Sequence, residues 1–265
     1  MAKYRPFVPA GTLDGKVILI TGASQGVGLI AAHGFALAGA KVVLGARRPE
    51  LVERAAREIE MAGGEAIGLP LDVTEEARVR ASVDATVDRF GRLDGLFNNA
   101  GIDPTTHGGL ADIPLDEWRR IHAIKIEGTF LCTKYAVKAM LRTGTGGSIV
   151  NCGSVVSELA MAMVPAASSS QSAIPGLTRV AAAAYGPDNI RVNALLIGLI
   201  LTPERVDGTY KGLEEQMRKV SPMRRPGAAE EVAQVAAWLL SVYAGYVNGA
   251  MIPVDGGYLA GSNPN

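Results

Sequence analysis

The chain has 265 residues, 48% of them hydrophobic and 20% charged, which predicts a well-buried core, and aromatic residues make up 5% of the composition. Lys plus Arg and Asp plus Glu number 26 each, and this neutral balance argues against a nucleic-acid partner, whose binding needs a clustered basic face. No apolar stretch approaches the length of a membrane span and residues 1–5 lack the apolar run of a secretory signal, so we expect a cytoplasmic protein with no membrane partner.

Short apolar runs alternate with helical patterns along the sequence. The runs predict strands at residues 16–21, 41–44, 66–71, 95–98, 148–151, 191–196 and 251–254. The helical patterns predict helices at about 26–38, 49–61, 115–141, 168–185 and 229–241, and one more capped by Thr74 with Glu75 and Glu76 in its first turn. This order predicts an α/β fold, a Rossmann-type doubly wound parallel sheet in three α/β/α layers, as a single domain. We assign residues 14–151 to a dinucleotide-binding half and residues 152–265 to a substrate-side half.

A glycine-rich turn joins the first predicted strand to the first predicted helix. It reads TGASQGVG and covers residues 21–28. Gly22 allows the tight turn, Gly26 lets the backbone approach a pyrophosphate, and Gly28 lets the helix pack on the sheet. The helix N-terminus adds free N–H groups that attract phosphate oxygens. The turn predicts a dinucleotide site, the alternative being a glycine turn that merely packs tightly.

Two arginines follow the second predicted strand. An acidic residue at this place would bond the ribose 2′-hydroxyl of NAD, but this chain has Arg47 and Arg48. Guanidinium groups suit a 2′-phosphate, and Ser24 can add a hydroxyl from the glycine turn. The sequence therefore favours NADP(H) over NAD(H), the alternative being two solvated surface charges.

Several motifs resemble those of the short-chain dehydrogenase/reductase family. They are TGASQGVG at 21–28, LDV at 71–73, NNAG at 98–101, IRVNA at 190–194 and VDGG at 254–257. The resemblance covers nearly the whole chain and implies a pyridine dinucleotide cofactor, a small-molecule substrate and a homodimer or homotetramer. It also implies this set of cofactor-binding residues: Gly22, Ser24, Gln25, Gly26, Val27, Gly28, Arg47, Arg48, Asp72, Val73, Asn99, Ala100, Gly101, Gln171, Gly198, Ile200 and Thr202.

In that family, an Asn–Ser–Tyr–Lys set carries the chemistry beside the nicotinamide. The tyrosine acts as acid or base at the substrate oxygen, the lysine holds the cofactor ribose and activates the tyrosine, and the serine polarises the carbonyl. At the matching positions this chain has Lys125 for Asn, Ser154 for Ser, Ala167 for Tyr and Gln171 for Lys. Of these four catalytic positions, only Ser154 retains the residue type of the family. Outside the four, Ile197 replaces a proline that the family has before Gly198.

The altered set changes the chemistry to be expected. An alanine can neither donate nor accept a proton, and losing a positioned acid costs roughly a hundred- to ten-thousandfold in rate. If its helix runs beside the site, Lys125 can donate to an oxyanion alongside Ser154 or shuttle a proton, the alternative being a solvated helix lysine. Gln171 can bond a ribose hydroxyl but cannot transfer a proton. We therefore predict Ser154, Lys125 and Gln171 as the catalytic positions.

Other polar residues are also predicted to lie near the site. Asp103, His107 and Glu158 lie in loops flanking the substrate pocket, where each could act as an acid or base but is more often solvated. The serines at 168–170 favour helix capping and turn chemistry. Three unclustered histidines and two cysteines, expected to be buried thiols, predict no metal site.

Three functions remain open at this point. An NADPH-dependent reductase could act on an iminium carbon, which accepts hydride without a tyrosine proton, or on a ketone activated by Ser154 and Lys125. A cyclase, isomerase or lyase could use the pocket without redox chemistry. A catalytically silent NADP-binding protein would also lose the tyrosine and lysine, and the fold alone does not decide among these.

Overall fold

A computed structural model describes residues 6–202 and 211–261 of the chain, and its main feature is a seven-stranded parallel sheet. The strands of this sheet are β1 (Val17–Thr21), β2 (Lys41–Ala46), β3 (Glu65–Pro70), β4 (Gly95–Asn98), β5 (Gly147–Ser154), β6 (Ile190–Ile197) and β9 (Met251–Val254). Their order in the sheet is β3-β2-β1-β4-β5-β6-β9. The order reverses between β1 and β4, and this reversal opens a crevice at the carboxyl ends of the strands.

Helices cover both faces of the sheet. The helices of the described residues are α1 (Gly26–Leu37), α2 (Pro49–Met61), α3 (Glu76–Phe90), α4 (Leu115–His122), α5 (Gly128–Thr143), α6 (Pro165–Tyr185), α7 (Lys211–Val220) and α8 (Ala229–Leu240). Successive side chains of β1 alternate between two cores: Ile18 and Ile20 pack with α1, α2 and α8, whereas Leu19 packs with α3, α5 and α6. The predicted three-layer, doubly wound single domain is confirmed. No helix in the described ranges combines the length and apolarity needed to cross a bilayer.

The helix predicted at 115–141 is divided into three segments. A five-residue π turn, Ala123–Glu127, separates α4 from α5. The Thr129 hydroxyl donates a hydrogen bond of 2.7 Å to the carbonyl of Lys125 within this segment. The prediction of a single regular helix was therefore wrong, although the segment is helical throughout and extends to Thr143.

The predicted cap of α3 was wrong, and α6 begins three residues before its approximate predicted start (168 − 165), each for a local reason. The hydroxyl of Thr74 donates to the Asp72 carboxylate over 2.7 Å instead of capping α3, which begins at Glu76. Helix α6 begins at Pro165 rather than at residue 168, because proline at the first turn presets the helical φ. The serines at 168–170 thus lie inside α6 and do not cap it.

A short second sheet lies outside the main one. Strands β7 (Ile200–Leu201) and β8 (Gly227–Ala228) pair in parallel, a contact that the sequence patterns did not predict. The pairing holds the chain that leaves β6 against the start of α8.

A buried chain of hydrogen bonds fixes α5 and α6 relative to the sheet. The Asn98 amide of β4 donates to Thr133 of α5 over 3.2 Å and to Asn151 of β5 over 3.0 Å. The Asn151 amide donates in turn to Thr178 of α6 over 3.0 Å. Because unpaired polar groups in the core are costly, this network specifies one arrangement of the two helices beside the strand ends.

Candidate active site

A cleft of about 1160 Å³ opens at the carboxyl ends of the central strands. Lys125, Ser154 and Gln171, the predicted catalytic residues, all line it, as does Ala167. It is also lined by these residues predicted for the cofactor: Gly22, Ser24, Gln25, Gly26, Val27, Arg47, Arg48, Asp72, Val73, Asn99, Ala100, Gly101, Gln171, Gly198, Ile200 and Thr202. The remaining residue of that set, Gly28, lies behind the cleft wall, inside α1.

The glycine turn is built on left-handed backbone and close approaches. Gly22 and Gly26 have φ of 68° and 58°, values that favour glycine. A Cβ on Gly22 would lie 2.9 Å from the Cα of Ala100, and one on Gly28 would lie 2.6 Å from the carbonyl oxygen of Gly22. Because Gly28 has no side chain, α1 packs directly against the glycine turn. The N-terminus of α1 faces the cleft.

The segment after β4 is tied to the glycine turn. Thr21 accepts hydrogen bonds on its hydroxyl from the backbone N–H groups of Asn99 (3.1 Å) and Ala100 (3.0 Å). The Asn99 amide donates to the Thr21 carbonyl over 3.1 Å. These bonds bring the two loops that flank the reversal of strand order into one continuous cleft wall.

Arg48 reaches across from the end of β2 to the glycine turn. Its guanidinium donates to the Ser24 hydroxyl over 3.1 Å and also to the side-chain oxygen of Gln25. Arg47 and Arg48 are both exposed, and the first residue after β2 is a cation rather than an acid. This end of the cleft therefore presents a guanidinium and a hydroxyl side by side, a pair suited to an anion.

Lys125 lies at the other end, on the π turn. Its ammonium group lies against Gly101, at the place where a β-carbon would be, so a side chain at Gly101 would collide with it. It also lies near Cys152 of β5: burial raises the pKa of the Cys152 thiol to about 12, and the charge of Lys125 opposes part of that rise. Lys125 is thus a half-buried cation that lines the cleft rather than a fully exposed helix lysine.

Ser154 and Ala167 both line the cleft. Ser154 is the last residue of β5, and its hydroxyl accepts a bond of 3.4 Å from the backbone N–H of Val156. Ala167 and Gln171 lie one turn apart on α6, and both line the cleft. An alanine side chain offers no polar atom here, whereas Ser154 and Lys125 bring polar groups to the same cleft.

Gln171 has an unusual hydrogen-bonding state. Its side chain is 6% exposed, yet its Oε1 has no hydrogen-bond partner among the described residues. Leaving a buried carbonyl oxygen without a donor costs about 1–3 kcal/mol. A hydroxyl group of a ligand in the cleft would remove this cost.

Of the three loop residues that the sequence placed beside the substrate pocket, the structure places one in the cleft. Asp103 lines the cleft, but His107 and Glu158 do not. Three further polar lining residues, Thr74, Arg120 and Ser170, were not among the predicted site residues. Arg120 lies five residues before Lys125 in the sequence. Two residues at this spacing share one face of a helix only where the helix contains a π turn, so this spacing is the signal that could have found Arg120.

Arg120 is held by a buried acid. Its Nε and Nη2 donate to one oxygen of Glu117 over 2.8 and 2.7 Å, and the other oxygen accepts from the Thr105 backbone over 2.7 Å. These bonds lower the pKa of Glu117 and outweigh the burial that would raise it. They also fix the loop after β4 to α4.

No group of three or more metal-ligating side chains occurs within the described ranges.

Comparisons with known proteins agree with this architecture. A family model described as "Enoyl-(Acyl carrier protein) reductase" matches residues 22–259. The chain is 39% identical over 250 residues to a 2,5-dichloro-2,5-cyclohexadiene-1,4-diol dehydrogenase of Sphingobium indicum, covering 94% of this chain and 98% of that protein. It is 37% identical over 254 residues to an A-factor type gamma-butyrolactone 1'-reductase (1S-forming) of Streptomyces virginiae, covering 94% and 97%.

A solved structure shows the same fold. A short-chain type dehydrogenase/reductase from Mycobacterium ulcerans superposes with a TM-score of 0.88 at 31% sequence identity, covering 96% of this chain and 93% of that one. The chain belongs to the short-chain dehydrogenase/reductase family, a family of oxidoreductases that use NAD(P)(H).

Proposed function

We propose that this protein is an NADP(H)-dependent oxidoreductase that transfers hydride to an imine or iminium carbon, with an activated carbonyl as the less favoured substrate. The observation that carries the proposal is one cleft that is lined by the glycine turn and Arg48 and also by Ala167, at the position matched to the family's tyrosine acid. Such a site can bind the hydride donor but lacks the usual means of protonating an alkoxide.

The part of the cleft lined by the glycine turn and Arg48, here called the nucleotide end, supports the binding of a dinucleotide with a 2′-phosphate. The two left-handed glycines and the N-terminus of α1 suit a pyrophosphate. The orphaned Oε1 of Gln171 suits a ribose hydroxyl that donates to it. Arg48 and Ser24, already bonded to each other, suit the added phosphate of NADP(H).

The part of the cleft lined by Lys125, Ser154 and Ala167, here called the reaction end, supports a substrate that does not depend on a protein acid for protonation. A reduced nicotinamide supplies the hydride when it is bound. An imine can arrive with its proton already on nitrogen, and hydride addition then gives a neutral amine. A ketone instead gives an alkoxide, for which Ser154 would donate a hydrogen bond and Lys125 would donate the proton.

The test compares cyclic imines with ketones of the same ring size while the absorbance of NADPH is followed. We expect oxidation of NADPH with imines and at least a hundredfold less with ketones, because losing a positioned acid costs roughly that much or more. Lys125→Ala should abolish the residual ketone reduction and leave imine reduction intact. The double variant Ala167→Tyr with Gln171→Lys should raise ketone reduction.

Two outcomes would contradict the proposal. Conversion of a substrate without any change in NADPH would favour a cyclase, isomerase or lyase, for which the missing acid at Ala167 is no obstacle. Tight NADPH binding without conversion of any imine or ketone would favour a catalytically silent binding protein.

The proposal also covers location and partners. We infer a cytoplasmic protein, since Cys132 and Cys152 are free and buried, as is usual in a reducing compartment. Its partners would be a small-molecule substrate and further copies of the chain in a homodimer or homotetramer. The neutral overall charge supports the absence of a nucleic-acid partner.

A further inference from the structure

The reaction end of the cleft contains a cation whose charge bears on the choice of substrate. Lys125 is half-buried and lines the cleft, and its ammonium group lies against Gly101. Its charge also reaches the buried thiol of Cys152, whose raised pKa it partly lowers. Because water screens a half-buried charge only in part, this ammonium group acts strongly on any charged group that binds beside it.

Lys125 lies close to the position of the reacting carbon. Cys152 and Ser154 are two residues apart on β5 and both line the cleft, so their side chains leave the same face of the strand. Two residues of a strand span about 7 Å. The ammonium group near Cys152 is therefore within reach of a substituent on a ring whose C=N bond lies at Ser154.

The charged side chains that line the cleft favour an anion at this end. Among the described residues, four cations and two acids line it: Arg47, Arg48, Arg120, Lys125, Asp72 and Asp103. The three that follow β2 and β3 belong to the nucleotide end. Of the others, Arg120 is bonded to the buried Glu117, and Asp103 is exposed to the screening of water. Lys125 thus provides the half-buried charge of the reaction end.

The charge of Lys125 restricts which imine this end can bind in its reactive form. A protonated imine is a cation, and an ammonium group beside it repels it and favours the loss of its proton. A neutral imine would then need a proton from the protein, and Ala167 has none to offer. A carboxylate on the substrate ring removes this conflict, because it pairs with Lys125 and keeps the imine protonated.

We propose that the substrate is a cyclic imino acid, in which a carboxylate next to the C=N bond pairs with the ammonium group of Lys125. The inference rests on the proposed function for the hydride transfer and adds the group that the cleft recognises. The ring carbon accepts a hydride and forms a C–H bond, the π electrons of the C=N bond become the lone pair of nitrogen, and NADPH is oxidised to NADP⁺. The product is a cyclic amino acid, formed without a proton from the protein.

The binding of two flat ligands tests the inference without turnover. Pyrrole-2-carboxylate and pyrrole-2-carboxamide share the same planar ring and differ in the charge of one group. Each is titrated calorimetrically into the protein with NADPH bound. The test variant is Lys125→Met, which keeps most of the side-chain stem in place. The matched control is Lys138→Met, which removes an exposed lysine of α5.

We expect the carboxylate to bind at least about tenfold more tightly than the amide in the parent and in Lys138→Met, and this difference to vanish in Lys125→Met. Equal Kd values of the two ligands in the parent would overturn the inference, and this comparison depends on no variant. A preference for the carboxylate that survives in Lys125→Met would overturn it as well.

Turnover separates this inference from the proposed function. Carboxylate-dependent binding without oxidation of NADPH by any cyclic imino acid would uphold the recognition by Lys125 and refute the hydride transfer. Oxidation of NADPH by simple cyclic imines at the same kcat/KM as by their carboxylated forms would uphold the hydride transfer and refute the recognition by Lys125.

Discussion

Arg48 joins two parts of the sequence that lie more than twenty residues apart. Its bonds to Ser24 and Gln25 cross from the end of β2 to the glycine turn. The sequence predicted the residue types, because cations after this strand suit a 2′-phosphate. The pairing of Arg48 rather than Arg47 with the turn depends on the side-chain directions in the folded protein.

Arg48→Ala should change cofactor preference. Hydrogen bonds to a charged group contribute about 1.5–3 kcal/mol, so the affinity for NADPH should fall roughly tenfold to a hundredfold. The affinity for NADH, which lacks the 2′-phosphate, should stay the same. Fluorescence titration of both cofactors measures this, with Arg54→Ala as the control, an exposed arginine on α2. An equal loss for NADPH and NADH would refute the role of Arg48.

The reaction end was less predictable at the residue scale. Motif spacing placed Ser154, Ala167 and Gln171 on adjacent elements, and all three line the cleft. The unsatisfied oxygen of Gln171 could not be predicted, because it depends on which donors the surrounding fold supplies. Ser170 was missed since its neighbours suggested a helix cap.

At the scale of elements, the π turn decides where Lys125 points. The extra residue in this turn shifts the register between α4 and α5, so Arg120 and Lys125 both face the cleft. Helix α5 starts at Gly128, where a β-carbon would lie 2.6 Å from a side-chain methyl of Val73. Glycine thus permits the close approach of this helix to the loop after β3.

Gly28 and Gly176 are two helical glycines that together test whether α1 needs a glycine where it packs against the glycine turn. A Cβ at Gly28 would lie 2.6 Å from the Gly22 carbonyl oxygen, whereas one at Gly176 of α6 would meet nothing within 4 Å. We expect Gly28→Ala to lower the free energy of unfolding by about 1–3 kcal/mol through overpacking. Gly176→Ala should raise it by up to about 1 kcal/mol through better helix propensity.

Urea unfolding of the cofactor-free protein measures both changes. Because Gly28 lies behind the cleft wall, the Gly28→Ala variant should also bind NADPH more weakly, as the glycine turn has to move. Equal stabilities of the two variants would show that α1 does not need a glycine at this position.

At the scale of the whole molecule, stability should fall in acid. Arg225 holds Glu231 through two hydrogen bonds of 2.7 Å, and the Ala228 N–H adds one of 2.8 Å. Together they lower the pKa of Glu231 to about 2 from an ordinary 4.5. A lowered pKa in the folded state stabilises the protein above pH 4.5, and this contribution is lost as the pH falls through 2.

Glu231→Gln should remove part of this acid sensitivity. Between pH 7 and pH 3 the parent should lose roughly 1 kcal/mol more of its free energy of unfolding than the variant, a reduced value because the pair is partly exposed and screened by solvent. Urea unfolding at the two pH values checks this. Parallel losses in the parent and the variant would assign the acid sensitivity to other carboxylates.

The sequence by itself determined the order of strands and helices, the parallel sheet and the place of the nucleotide site, because hydrophobic periodicity and glycine positions are local properties of the chain. Only the tertiary structure decided that the Lys125 ammonium lies against Gly101 and that Gln171 retains a buried oxygen without a hydrogen-bond partner among the described residues. Each of these depends on contacts between elements far apart in the sequence, and no local pattern specifies such contacts.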